Sequence, residues 1–252
     1  MHYAPSRRTL QLSVEERSAG KPSSERSAQL VLSPRRVLSF QIQMIAVLAI
    51  ASTLAGTALY FSGWQEETFG FEMVRMFWLD SEHNIPTLYQ CVAMFSASVL
   101  FAVIGGRYRS RGEPAAPWYV LAFAFAFFAV DEASRVHETV GLAFGTSFGA
   151  SWTYFYIPVG VALLVYFVPF LRRLPIRIAR LFVLSGAMVV GGGVGVEIVG
   201  QLYAEAYSKE TPIYAALATL EEVLEMLGVA VLNFTLLEHI RTSTFRPSAS
   251  AP

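Results

Sequence analysis

Cysteine, lysine and histidine are scarce in this chain, and each scarcity closes off a chemistry. Cys91 stands alone, so no disulfide can form within the chain. Lysine occurs only at Lys21 and Lys209, outside every long apolar run, which leaves no place for a retinal Schiff base. Histidine occurs only as His2, His83, His137 and His239, too few for the eight-histidine pattern of membrane desaturases. The glycine run 191–195 lacks the Lys and Ser/Thr of a phosphate loop, and no Gly-x-Ser-x-Gly elbow exists, so no nucleotide is expected. Zero formal net charge, with no basic face interleaved with aromatics, argues against a nucleic-acid partner.

Charge itself is missing over long distances. Residues 37–65, 87–106, 114–130, 139–171, 181–196 and 226–237 carry none, and 54% of the chain is hydrophobic. A soluble domain is rarely so apolar. A bilayer core needs about 20 helical residues to cross it. The expected fold is therefore all-α: an integral membrane bundle of six transmembrane helices at Val37–Phe61, Pro86–Gly105, Pro117–Glu138, Thr153–Leu171, Ile178–Ala204 and Tyr214–His239. Between the first two, the aromatic-rich stretch Phe69–Leu79 is too short to cross and reads as an interfacial helix, its Glu72 and Arg75 paired at i,i+3.

Three domains follow. Residues 1–36 read as a disordered cytoplasmic tail, 37–240 as the transmembrane domain and 241–252 as a cytoplasmic C-terminal tail. Ser6-Arg7-Arg8-Thr9-Leu10 resembles a twin-arginine signal by chance only, because the apolar run starts too late and runs too long. Lys and Arg set the orientation. Seven lie before Val37, three in Arg107–Arg111, four in Arg172–Arg180 and two at Arg241 and Arg246; Arg75, Arg135 and Lys209 remain for the other side. Both termini then face the cytoplasm, with the chain in the plasma (inner) membrane and lipids as its neighbours.

What is abundant is acid in unexpected places. Asp80, Glu82, Asp131, Glu132, Glu138, Glu197, Glu221, Glu222 and Glu225 lie inside or against the expected spans, and all on the outer side. A carboxylate in lipid costs several kcal/mol unless it faces protein, water or a counter-charge. Asp131, Arg135 and Glu138 fall at i, i+4, i+7 on one helical face, with Asp131 ~21 Å along its span. Glu197 lies ~28 Å along the fifth span, one turn after a small-xxx-small face formed by Gly191 and Gly195. Glu221, Glu222 and Glu225 form a wedge ~10–17 Å into the sixth span. Three ionised acids so close repel unless a cation, protons or Arg135 compensates.

These residues point to one shared polar site. Oxygen ligands with one or two imidazoles suit a divalent metal ion such as iron, manganese, magnesium or calcium. Metal ligands would be Glu132, His137, Glu197, Glu222 and Glu225, with Asp131 or Glu138 as catalytic base. Asp80, Glu82, His83, Arg135 and Glu221 would support them. The first expectation is a metal-dependent membrane enzyme, a hydrolase or oxidoreductase, acting on a lipid or apolar substrate. The Glu-x-x-His pair of ferritin-like di-iron proteins is absent from this region; Glu132 and His137 have the wrong spacing. The alternatives are a proton- or cation-coupled transporter or channel, and a non-catalytic accessory subunit whose polar core fixes packing. Against transport, the cytoplasmic halves of the spans look nearly devoid of polar groups.

Overall fold

The computed structural model describes residues 33–63, 68–136 and 151–244. The expected N-terminal tail and C-terminal tail fall almost wholly outside them, as do His137 and Glu138. Among the described residues all regular structure is helical. The helices are α1 (Pro34–Ser62), α2 (Phe69–Arg75), α3 (Ile85–Ser110), α4 (Ala116–Ser134), α5 (Ser151–Leu171), α6 (Ile176–Val190), α7 (Glu197–Ala206) and α8 (Pro212–Thr244). A single π-helical stretch, Gly191–Val196, joins α6 to α7 without a break.

Local chemistry sets the boundaries. Pro34 sits at the start of α1, where its missing N–H costs nothing, so the helix begins three residues before the charge-free run. It stops at Gly63, whose φ of 64° reverses the chain and returns its N–H to the Leu59 carbonyl. Asn84 caps α3 by accepting from Thr87 N at 3.0 Å, with Pro86 in the first turn. Pro158 and Pro169 lie inside α5, where each removes one rung of the hydrogen-bond ladder.

Among the described residues, four helices are long and apolar enough to cross a membrane: Pro34–Ser62, Ile85–Ser110, Ala116–Ser134 and Ile176–Ala206. Their outward faces carry Ile50, Leu54, Phe123 and Val183, all exposed. Such a surface is far too apolar for water.

The last helix, α8, is the hub. It packs against α1, α3, α6, the π-helical stretch and α7. Met226, Val229, Leu232 and Leu236 are almost completely buried. α3 and α4 form the tightest pair, joined by a short loop. Their end away from α2 holds an aromatic core of Trp118, Phe101, Phe170 and Phe182, with Trp118 and Phe170 edge-to-face at 4.8 Å. Stacked on Trp118 is His239, whose Nε2 lies 3.1 Å from the Tyr108 hydroxyl. Beside it Arg241 holds the buried Glu238 with two bonds, of 2.8 and 3.0 Å.

Close helix approach depends on glycine, but not on the glycines expected. Nothing lies within 4 Å of a side chain added at Gly191, and Gly195 touches only its own helix. A Cβ at Gly192 would instead meet the Glu221 carbonyl oxygen at 2.7 Å, and one at Gly193 would strike Glu225 Oε1. The π-helical stretch explains the correction. Its N–H of Glu197 bonds the carbonyl of Gly192, five residues back. The residues that meet α8 are the adjacent pair Gly192 and Gly193 in the wide turn of that stretch, not Gly191 and Gly195 four apart.

Candidate functional site

The loop between α2 and α3 is stitched by one side chain. Asn84, besides capping α3, donates through Nδ2 to the carbonyls of Trp78 and Ser81, each at 2.6 Å, and of Arg75 at 3.2 Å. Ser52 of α1 accepts from Leu79 N at 3.0 Å and pins the loop from the other side. This fixed loop carries Asp80, Glu82 and His83, and His83 is held at φ 59°. Glu72 and Arg75 pair at 3.1 Å as their spacing predicts.

Arg135 departs from expectation. α4 ends at Ser134, and Arg135 adopts φ 55°, its N–H returning to the Asp131 carbonyl at 2.7 Å. Asp131 and Arg135 therefore do not share a helical face, because the helix stops between them; Glu138 lies outside the described residues. The left-handed turn swings the guanidinium to Glu82, with Nε 2.5 Å from Oε2. Asp131 itself is buried.

Around this loop the acids of four elements approach one another. Glu222 of α8 lies within electrostatic range of Glu225 and Glu221 on its own helix, of Glu132 on α4 and of Asp80 in the loop. Glu221 is within hydrogen-bonding reach of Glu197 on α7. Glu197 also accepts a very short bond from Gln201 Nε2. Glycine makes this possible: with no side chains at 192 and 193, the backbone of the π-helical stretch rests directly on the turn that carries Glu221 and Glu225.

Electrostatics in the loop follow from that crowding. Asp80 keeps an exposed face, yet neighbouring chain strips water from its carboxyl and pushes its pKa up to about 6. The Lys209 ammonium opposes the shift and Glu197 adds to it. Lys209 also lies over the Tyr214 ring, 5.7 Å from its centre. Asp80, Asp131, Glu82, Glu132, Glu197, Glu221, Glu222 and Glu225 thus share this end of the bundle with Arg135 and Lys209, while Arg75 is paired with Glu72.

No three His, Cys, Asp or Glu side chains among the described residues are close enough to hold a metal ion. Two of the expected site residues, His137 and Glu138, lie outside those residues. Asn84, Gln201, Lys209 and Tyr214 are site-forming groups that a search for deep charge passes over. For the first of them the sequence holds a signal that a count of charges does not use: Asn84, two residues before Pro86, has the type and place of a helix cap.

A second oversight lies deeper. The halves of the spans away from α2 were expected to be nearly devoid of polar groups, but Gln41, Asn233, Thr235, Glu238 and His239 are all buried there. The half of the bundle away from α2 therefore does contain polar groups, because amides and hydroxyls escape a count of charges.

Among the described residues the architecture is a helical bundle with four helices long and apolar enough to cross a membrane and a group of acids at one end. A family model described as "Domain of unknown function (DUF8692)" matches residues 44–240. The chain belongs to that family, and the match takes in α2 to α7 whole, α1 from residue 44 and α8 as far as residue 240. No curated protein and no solved structure matches the chain.

Proposed function

We propose that the chain is a six-span protein of the plasma membrane, both termini cytoplasmic, that binds cations at its carboxylate cluster and couples their passage to protons. α1, α3, α4, α5, the continuous α6–α7 unit and α8 would be the spans, with α2 at the outer interface. The sixteen-to-three division of Lys and Arg supports that orientation.

One observation carries the functional reading: Glu222 faces acids from α4, α8 and the Asp80 loop, while Glu221 reaches Glu197 of α7. Carboxyl groups that close cannot all stay ionised and bare. They hold protons when empty and release them to a cation. Intramembrane acids facing a bundle interior mark ion and proton paths in general. A π-helical stretch beside the cluster, which leaves the regular carbonyl ladder, fits a binding role.

The test is a proteoliposome assay with a pH-sensitive dye inside. An inward cation gradient is expected to drive internal alkalinisation in the wild type, as entering cations displace protons outward. Glu222→Gln with Glu225→Gln should abolish it. A wild-type signal no larger than that of empty liposomes would count against coupled transport.

The approach of Glu132 to Glu222 also favours a second reading, a metal-dependent enzyme acting on a lipid or apolar substrate. Glu132, Glu197, Glu222 and Glu225 would then bind iron, manganese, magnesium or calcium together with His137, and Asp131 or Glu138 would act as base. Stoichiometric metal in the purified protein, with chelator-sensitive melting, would select it.

A further inference from the structure

Arginine crowds the end of the bundle away from α2. The segments 33–36, 107–113, 172–180 and 238–241 contain ten arginines and no lysine, against Glu113 and Glu238 as the acids. Orientation in a membrane asks only for positive charge, which lysine supplies as well as arginine. What arginine adds is a planar fork of donors, and that fork matches a phosphate.

Geometry singles out one point in this collar. Glu238 of α8 is buried, and Arg241 neutralises it with two bonds, of 2.8 and 3.0 Å. The interior is therefore balanced without a ligand. Arg177 of α6 approaches the same oxygen, Oε1, but stays at 3.7 Å, and its side chain is 65% exposed. Arg35 of α1 is exposed as well and lies within electrostatic range of that carboxylate. Guanidinium groups from three helices thus surround one carboxylate, which leaves two positive charges over at the surface. Because Arg177 and Arg241 both approach Oε1, they are close enough for one phosphate to bridge them.

Position says which phosphate. Arg35 and Arg177 are each the second residue of a membrane-length helix, Pro34–Ser62 and Ile176–Ala206. Exposed apolar side chains stand next to them: Ile176 beside Arg177, and Phe40 one to two turns beyond Arg35. The helices that begin at this end, α1, α4 and α6, have no side-chain cap, so their first-turn N–H groups are open to an anion. Thr68, Asn84 and Thr211 by contrast cap α2, α3 and α8, which begin near the acids. We propose that Arg35 and Arg177, with the outer edge of Arg241, bind the headgroup of an anionic phospholipid. Its phosphodiester meets the two surplus charges, and its acyl chains run along Phe40 and Ile176. This site is independent of the cation-binding reading and requires only that these helices stand in a bilayer.

The experiment is thermal melting of the full-length protein in nonionic detergent with choline chloride. The probes are dioleoylphosphatidylglycerol, dioleoylphosphatidylcholine and inorganic phosphate. Wild type should gain melting temperature saturably with phosphatidylglycerol. Phosphatidylcholine, whose choline offsets the phosphate charge, and inorganic phosphate should do little at the same concentration. Arg177→Gln and Arg35→Gln leave the Glu238–Arg241 pair in place, and each should raise the half-saturating lipid concentration about fivefold. Arg109→Gln removes an exposed arginine of α3 from the same collar and should leave that concentration unchanged. Equal gains from the two lipids would overturn the site, as would a free-phosphate effect as large as the lipid's. So would an Arg109→Gln shift equal to that of Arg177→Gln, because diffuse charge alone then explains binding. Should Arg177→Gln fail to melt cooperatively, Arg35→Gln and Arg177→Lys decide, and no rise in half-saturation for either overturns the site. The Glu222→Gln, Glu225→Gln double variant should respond to lipid as wild type does, so this inference and the cation reading fail separately.

Discussion

The two ends of the bundle treat charge in opposite ways. Away from α2, the single buried carboxylate Glu238 is held by Arg241 through two bonds, with Arg177 3.7 Å away. Packed next to it are Trp118, Tyr108 and His239, with the His239 ring stacked on the other two. At the α2 end, Arg75 pairs with Glu72, but eight further carboxylates share Arg135 and Lys209, and the acids face one another across helix boundaries. The first arrangement is self-compensating and needs no ligand. The second is not, and the imbalance sits where glycine lets backbones touch. Within one fold, balanced charge marks the part that holds the bundle together, and unbalanced charge marks the part available for work.

The comparison breaks most visibly at Trp118. Fully buried among Phe101, Phe170, Tyr108 and His239, it should cost about 3–5 kcal/mol when cut to Ala. Equilibrium unfolding in mixed detergent measures this, and sodium or proton binding at the other end should survive in the fraction still folded. Loss of binding in step with stability would erase the distinction between the ends.

Glycine sharpens the same contrast within one helix. Gly192→Ala pushes a methyl against the Glu221 carbonyl oxygen and should cost about 1–3 kcal/mol, together with loss of the cation response. Gly191→Ala meets open space and should be neutral or slightly stabilising. Equal effects at 191 and 192 would contradict the phase set by the π-helical stretch.

A smaller effect is expected for the rim. Arg135 and Glu82 are paired but partly solvated, so Glu82→Gln should change stability by about 1 kcal/mol or less in melting experiments. Smallest is the pH dependence contributed by Asp80. Its carboxyl is near 3.8 ordinarily and about 6 in the fold, mainly through burial. A raised acid favours folding fully below its unfolded value, and that contribution is lost as pH rises through about 6. Stability should therefore decline between those pH values, and Asp80→Asn should flatten that part of the curve.

The reasons for what was and was not legible are physical. Long apolar runs bounded by Pro34, Pro86, Pro117 and Pro212 gave helices within a few residues, because proline fixes where a helix can begin. The π-helical stretch was hidden, since Gly191, Gly192 and Gly193 have no side chains to show a change of period. Arg135 looked helical because a left-handed turn at a non-glycine residue leaves no mark in the sequence. Acids were visible by their charge, whereas Gln41, Gln90 and Asn233 are neutral and vanish in apolar runs. A count of all hydrogen-bonding side chains in the runs, not of charges alone, would have found them.

The most direct measurement is proton release on cation binding. Full-length protein in weakly buffered detergent solution is titrated with sodium chloride against choline chloride, and pH is followed with an indicator dye. Carboxylates that hold protons until a cation displaces them predict saturable acidification in the wild type and none in the Glu222→Gln, Glu225→Gln double variant. A wild type that folds, melts cooperatively and releases no protons to sodium or to any divalent ion tested would contradict the account.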